Sequence, residues 1–176
     1  EAVEFDHTRA FVKIEDGCSN FCSYCIIPYA RGPVRCKDKD LVITELKKIA
    51  AMGYKEVVLA GIHTGHYTCG PDYKLSNLLK DIIKNVPELE RIRLSSIEIN
   101  EIDDDIIDLM SSTNIIANHM HLPLQSGSDK ILKLMNRRYD KAFFKEKIEK
   151  IRSVRPDISI TTDVMVGFPY EEDEDF

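Results

Sequence analysis

The sequence lacks any apolar run approaching the roughly 20 residues that a membrane span requires. Its opening stretch, residues 1–11, has no basic segment followed by an apolar one, so it is not expected to be a signal peptide. Low-complexity tracts and short-period repeats are missing too, and no linker divides the 176 residues internally. That length suffices for one sizeable core. Paired cysteines are also lacking: there are five, an odd number with three bunched together, which does not suggest a disulfide framework. Bunched thiols suit a reducing compartment and a metal, and a cytoplasmic setting is expected. Positive charge is in deficit, with a formal net charge of −6. Taken alone, that argues against a nucleic-acid binder, because phosphate neutralisation supplies most of such affinity.

What is present is an alternation of strand and helix signals with short connections. "FVKIE" (11–15) is a strand candidate that runs into the cysteine loop. "DLVITELKKIAAMG" (40–53) places Val42, Leu46, Ile49 and Ala50 on one helix face and Gly53 at its C-terminal cap. "EVVLAG" (56–61) is apolar enough for a strand covered on both faces. Leu75, Leu78, Leu79, Ile82 and Ile83 predict a second amphipathic helix that stops before Pro87. "RIRLSS" (91–96) alternates as a strand does, and Ile106, Ile107, Leu109 and Met110 mark a short helix. "HMHLPL" (119–124) reads as a strand with Pro123 weakening its end. Ser128 is a plausible N-cap for "DKILKLMNRR", and Phe143, Phe144, Ile148 and Ile151 mark another helix. "ISITTDVMVG" (158–167) is rich in β-branched residues and predicts a strand. The acidic run "EEDEDF" (171–176) reads as the solvated start of a further helix.

Five strand–helix repeats in this order predict an α/β fold, a parallel sheet with helices outside. The expected architecture is an incomplete TIM-like barrel of the (β/α)6 type. The chain is expected to be a piece of a longer protein, with residues 1–10 a linker from an N-terminal domain and 11–176 a core domain truncated before the barrel is complete.

The chemistry sits in "GCSNFCSYCIIPYARG" (17–32), where Cys18, Cys22 and Cys25 are spaced C-x3-C-x2-C. This loop follows the first strand, at the edge where the loops of parallel α/β folds converge on an active site. A four-iron cluster takes one ligand per iron. Three thiolates therefore leave one iron open to a small molecule. A closed zinc site or a closed four-cysteine cluster is the competing reading, and either would need Cys36 as a fourth ligand.

With an aromatic residue, Tyr24, just before the last cysteine, this motif resembles the radical S-adenosylmethionine superfamily. "LPLQSGSDKILKLMNRRY" (122–139) and "TTDVMVGFPYEEDEDF" (161–176) resemble its methylthiotransferase branch. "IEDGC" (14–18) and "AGIHTGHY" (60–67) are most similar to the enzymes of that branch that act on threonylcarbamoyl-adenosine beside the anticodon, rather than to those acting on isopentenyl-adenosine. The resemblance implies a radical SAM barrel and a 4Fe-4S cluster on Cys18, Cys22 and Cys25. It implies S-adenosylmethionine chelated at the open iron and cleaved by one electron to a 5′-deoxyadenosyl radical. A second cluster in an N-terminal domain, a downstream RNA-binding domain, a tRNA substrate and a reductant are likewise implied, with no membrane partner. The cofactor is expected against Tyr24, Gly61, Ile62, Ser95, Glu98 and Gln125. The superfamily's Gly-Gly-Glu stretch is absent, and Gly61-Ile62-His63 stands in its place.

Each of these residues has a plainer reading. Tyr24 serves equally as core filler, Gly61 as a tight turn, and Ser95, Ser96 and Glu98 as a turn or helix cap. His63 and His66 read as hydrogen-bonded surface groups. Asp163 reads as a paired structural carboxylate, since a carboxylate buried alone is costly. Cys69 is expected to do nothing specific. Arg31, Arg35, Lys37 and Lys39 form a basic cluster that could contact phosphate or simply be a solvated surface. Arg137 and Arg138 close a helix, where cations suit its dipole.

Overall fold

The computed structural model describes residues 8–176. The linker expected over 1–10 falls outside the described residues up to residue 7. Among the described residues the strands are β1 (Ala10–Lys13), β2 (Glu15–Asp16), β3 (Arg35–Cys36), β4 (Glu56–Ala60), β5 (Arg91–Leu94), β6 (His119–His121) and β7 (Ser159–Thr161). The helices are α1 (Ile27–Arg31), α2 (Lys39–Ala51), α3 (Leu75–Asn85), α4 (Asp104–Ser112), α5 (Asp129–Leu134) and α6 (Lys141–Val154).

Strand alternation organises the sheet. β1, β4 and β5 pair in parallel, with Ala10 opposite Val57 and Val57 opposite Ile92. One step along, Val12, Leu59 and Leu94 form a second row. All six are buried, because this face lies under the helices. The intervening row of Phe11, Val58 and Arg93 points to the other, concave face. There Glu56 gathers Arg91 at 3.0 Å, Arg93 at 2.9 Å and Arg9 at 3.7 Å.

The arc continues past β5. Ile92 N–H donates to the Ile115 carbonyl at 2.8 Å, and Ala117 N–H to the Ile92 carbonyl at 2.9 Å, which brings the lead into β6 alongside β5. β6 pairs in parallel with β7, and an isolated bridge joins Gln125 to Val164. Five of the described strands, the sheet β1-β4-β5 and the pair β6-β7 joined to it by the isolated bridge Ile92–Ile116, form an open α/β arc with helices outside, as the sequence predicts; they do not close into a barrel.

Helix boundaries follow from local chemistry. The Asp38 side chain accepts from Asp40 N–H at 2.8 Å and caps α2, whose far end is released by Gly53 at φ +93°. Asp103, Ser128 and Asp140 cap α4, α5 and α6 in the same way. The apolar stripes of α2 (Val42, Leu46, Ile49) and α3 (Leu75, Leu78, Leu79, Ile82) pack onto the buried strand rows.

Several elements depart from expectation. The strand expected over 11–15 ends at Lys13, with Glu15 in a separate ladder, and α5 stops at Leu134, short of Arg137 and Arg138. The run 119–124 is a strand only to His121, since Pro123 has no N–H to give. Past Thr161 the ladder is carried by a side chain: Thr162 Oγ1 accepts from Leu124 N–H at 2.8 Å and donates to the Leu122 carbonyl at 2.7 Å, so the expected ten-residue strand shortens to three. "EEDEDF" forms turns rather than a helix start. Its Glu172 and Asp175 are held by Lys130 at 2.9 and 2.8 Å, on the side of α5.

Candidate metal centre

β2 and β3 form a two-residue antiparallel ladder, with Glu15 opposite Cys36 and Asp16 opposite Arg35. The cysteine loop is the segment this ladder closes. Gly17 has φ +88°, and a Cβ there would stand 2.2 Å from the Pro33 carbonyl oxygen, so both the turn and the close approach demand glycine. Cys18 N–H then donates to the Gly32 carbonyl at 3.1 Å. On the other side the loop sits on the end of α5. Ser23 N–H and Oγ–H donate to the Met135 and Leu134 carbonyls at 3.2 and 2.8 Å, groups that a helix end leaves without partners. Asn136 Nδ2 holds the Asn20 and Phe21 carbonyls at 3.2 and 3.0 Å.

The three thiols face one cavity of about 180 Å3, with Tyr24 beside them. Its other walls come from loops at the C-terminal ends of successive strands. Ile62 and His63 follow β4; Ser96, Ile97 and Glu98 follow β5; Pro123 and Gln125 follow β6; and Arg137 closes the side. Of the residues singled out in the sequence, Cys18, Cys22, Cys25, Tyr24, Ile62, Glu98 and Gln125 therefore meet at one place. Gly61 and Ser95 stand outside the lining. Gly61 makes room for a neighbour, since a Cβ there would lie 2.7 Å from Glu15 Oε2. Ser95 Oγ is 2.8 Å from Thr64 Oγ1.

Arg137 is not the solvated helix-closing cation its sequence position suggests. Its side chain is 4% exposed, and Nη1 lies 2.8 Å from Glu98 Oε1 and 3.4 Å from Cys22 Sγ. Nε–H donates to the Tyr139 hydroxyl at 3.1 Å, and Nη2 is buried without a hydrogen-bond partner. Burial acts to discharge this guanidinium, but the Glu98 carboxylate outweighs it and holds the group charged. Burial pushes the Cys18 thiol up, with Asn20 N–H pulling the other way, so metal binding there must displace a proton. Burial likewise pushes the Tyr24 phenol up to about 12, and its ring meets Phe168 edge-on at 6.3 Å. Gln125 adopts φ +69°, a left-handed backbone that non-glycine residues keep where the surroundings enforce it.

His63 is also not a surface group: it is 3% exposed. Its Nδ1 lies 3.7 Å from Cys18 Sγ, and its backbone N–H donates to Glu15 Oε2 at 2.7 Å. Its Nε2 faces Asn20 Nδ2 at 3.3 Å and also contacts the Glu101 carboxylate. Burial lowers the pKa of neighbouring His66.

The remaining cysteines lie elsewhere. Cys36 Sγ accepts from Thr68 N–H at 3.3 Å, Cys69 is 3.7 Å from Asp38 Oδ2, and neither lines the cavity. The basic cluster is partly offset locally: Arg31 and Arg35 share Asp16 at 3.4 and 3.5 Å with Lys13, Lys39 reaches Asp40 at 2.9 Å, and Lys37 pairs with Glu45. Asp163 is an exposed carboxylate 3.2 Å from His121 Nε2.

The donor set has a definite chemistry. A zinc ion with Zn–S bonds of about 2.3 Å draws its thiolates to within about 4 Å of one another. Among the described residues, the group whose ligand atoms all lie within 4.8 Å is His63, His66 and Glu101, not the three cysteines. Three spread sulfurs on one cavity, without a fourth, fit a multi-iron cluster bound through three of its irons.

A parallel α/β arc with three thiols on its first strand-end loop is an arrangement suited to an iron–sulfur enzyme core. The chain belongs to the radical SAM superfamily, whose sequence profile matches residues 12–176. Membership implies a 4Fe-4S cluster and S-adenosylmethionine. The chain is 45% identical over 172 residues to the threonylcarbamoyladenosine tRNA methylthiotransferase MtaB of Bacillus subtilis, covering 97% of this chain and 38% of that protein. It is 45% identical over 172 residues to the MtaB of Aquifex aeolicus, covering 98% and 42%. To the tRNA-2-methylthio-N(6)-dimethylallyladenosine synthase of Carboxydothermus hydrogenoformans it is 40% identical over 171 residues, covering 96% and 38%. The chain thus spans about two fifths of the length of these curated relatives. In fold it is similar to the cobalamin-dependent S-adenosylmethionine radical enzyme OxsB, at TM-score 0.70 and 12% identity, covering 88% of this chain and 23% of that one. It is also similar to the radical S-adenosylmethionine methyltransferase TsrM of Kitasatospora setae, at TM-score 0.65 and 17% identity, covering 89% and 29%.

Proposed function

We propose that this chain is the radical core of a tRNA methylthiotransferase that adds a methylthio group to carbon 2 of threonylcarbamoyl-adenosine beside the anticodon. The observation that carries this reading is 45% identity, sustained over 97% of the chain, to an enzyme named for that nucleoside. Identity to dimethylallyladenosine synthases reaches 43%, so an isopentenyl-type adenosine is the second reading. A zinc-stabilised binding module finds no support, because residues 12–176 match the radical SAM profile and Cys36 does not line the cavity that the other three thiols face.

Cys18, Cys22 and Cys25 would hold the cluster. When bound, the cluster and S-adenosylmethionine supply a carbon radical able to take hydrogen from an aromatic C–H, which no side-chain acid or base can do. The chain's own residues position and shield. Tyr24, Ile62, Glu98 and Gln125 line the cavity where the cofactor is placed, while Gly61 and Ser95 act from behind through Glu15 and Thr64. Arg137 offsets the negative charge of the thiolates and of Glu98. Ile62, Ile97 and Pro123 keep water from the reacting atoms. The sulfur source, a second cluster, is assigned to an N-terminal domain and most of the tRNA affinity to another part of the full-length protein, in keeping with the net charge of −6. A cytoplasmic reductant completes the cycle. No described helix is long and apolar enough to cross a membrane.

The test offers the reconstituted full-length protein tRNA bearing either threonylcarbamoyl-adenosine or isopentenyl-adenosine and reads the nucleosides by mass spectrometry. Methylthiolation of the first alone is expected. Methylthiolation of the second alone would transfer the assignment to the other substrate.

A further inference from the structure

Behind the cysteine loop lies a second donor set. His63 and His66 bracket a single 3-10 turn, Thr64–His66, in which side chains three residues apart eclipse. The two imidazoles therefore stand together, with ring centroids 3.8 Å apart. Glu101 reaches them from another 3-10 turn, Ile99–Glu101, which follows β5. Its side chain is 4% exposed; Oε1 lies 3.1 Å from His66 Nε2 and contacts His63 Nε2. Oε2 receives no hydrogen bond, and Oε1 meets only the two imidazoles. Burying a carboxylate on those terms is costly unless a cation compensates it. The pocket is also shaped for it, since a Cβ on Gly65 would stand 2.0 Å from Glu101 Oε2.

We propose that His63 Nε2, His66 Nε2 and the Glu101 carboxylate bind a divalent first-row metal of the zinc class, separate from the iron–sulfur cluster. Two imidazoles and a carboxylate, with all ligand atoms within 4.8 Å, are a borderline-metal donor set. Three protein ligands are those of a centre that keeps one position for water or substrate. His63 couples the two centres: its Nε2 faces the second metal while its Nδ1 lies 3.7 Å from Cys18 Sγ. The ion ties the loop after β4 to the loop after β5, just behind the cavity wall.

The probe is Zn2+, offered to the cluster-loaded full-length protein so that the thiols of Cys18, Cys22 and Cys25 are already occupied. Equilibrium dialysis is expected to give one zinc per chain beyond the cluster iron. Zinc-edge X-ray absorption should show nitrogen and oxygen neighbours at about 2.0–2.1 Å and no sulfur near 2.3 Å. Glu101→Gln and His66→Gln should each weaken binding at least about tenfold. His66 is partly exposed, so its variant should keep its iron and sulfide, which serves as the folding control. A sulfur shell around the zinc, no stoichiometric zinc, or unchanged affinity in the folded His66→Gln protein would each overturn the proposal.

Discussion

Arg137 and Cys22 are 115 residues apart in sequence, yet the guanidinium Nη1 lies 3.4 Å from the thiol sulfur. The same nitrogen is 2.8 Å from Glu98, so one buried cation serves a metal-loop sulfur and a cavity carboxylate together. Removing one partner of a buried pair strands the other. Arg137→Met is expected to cost about 3 kcal/mol in urea unfolding. The double variant Arg137→Met/Glu98→Gln should regain much of that loss. Equal destabilisation in both would show that Arg137 acts by packing alone.

The thiols of Cys36 and of the loop make opposite predictions. Anaerobic iron and sulfide counts should fall sharply in Cys22→Ala and stay at the wild-type level in Cys36→Ala, because Cys36 Sγ is engaged with Thr68 N–H and does not line the cavity. Loss of the cluster in Cys36→Ala would mean that it is closed by four thiolates.

On the concave face, burial raises the Glu56 pKa, but hydrogen bonds from Arg91 and Arg93 outweigh it and hold the carboxyl below its ordinary value of 4.5. A group with a depressed folded-state pKa contributes stability above its unfolded value and loses it as pH falls through the folded one. Glu56→Gln should therefore cost about 2 kcal/mol near neutral pH, with the gap to wild type closing in acid. A gap independent of pH would assign the effect to shape rather than charge.

Gly17→Ala joins two penalties, a left-handed φ and a Cβ 2.2 Å from the Pro33 oxygen. A loss of at least about 2 kcal/mol is expected, read as a lower thermal midpoint. Reduced iron uptake should accompany it, because the turn launches Cys18. An unchanged midpoint would mean that the loop relaxes freely.

How much of this could be read from sequence depended on range. α2 and α3 announced themselves by apolar spacing, and Cys18, Cys22 and Cys25 by their own, because those signals lie within a few turns of chain. Arg137, His63 and Glu101 did not. Arg137 follows α5 in a run of charges that reads as a solvated helix end, and only the seating of the cysteine loop on α5 buries it. The burial of His63 depends on Glu15, Asn20 and Glu101 arriving from three other segments. One signal was present, the spacing His63-Thr64-Gly65-His66, but it acquires meaning only once the segment is known to form a 3-10 turn. The shortening of the last strand was hidden because Thr162 substitutes a hydroxyl for the backbone, a choice that β-propensity does not encode.

The ladder between Glu15–Asp16 and Arg35–Cys36 has a consequence for the cysteine loop. By drawing the two ends of the thiol-bearing segment together, it makes that segment a cinched ring, closed by backbone hydrogen bonds that owe nothing to the sulfurs. The three cysteines therefore ride on a short tethered hoop, whose closure cost is carried by the sheet and not by whatever the thiols hold.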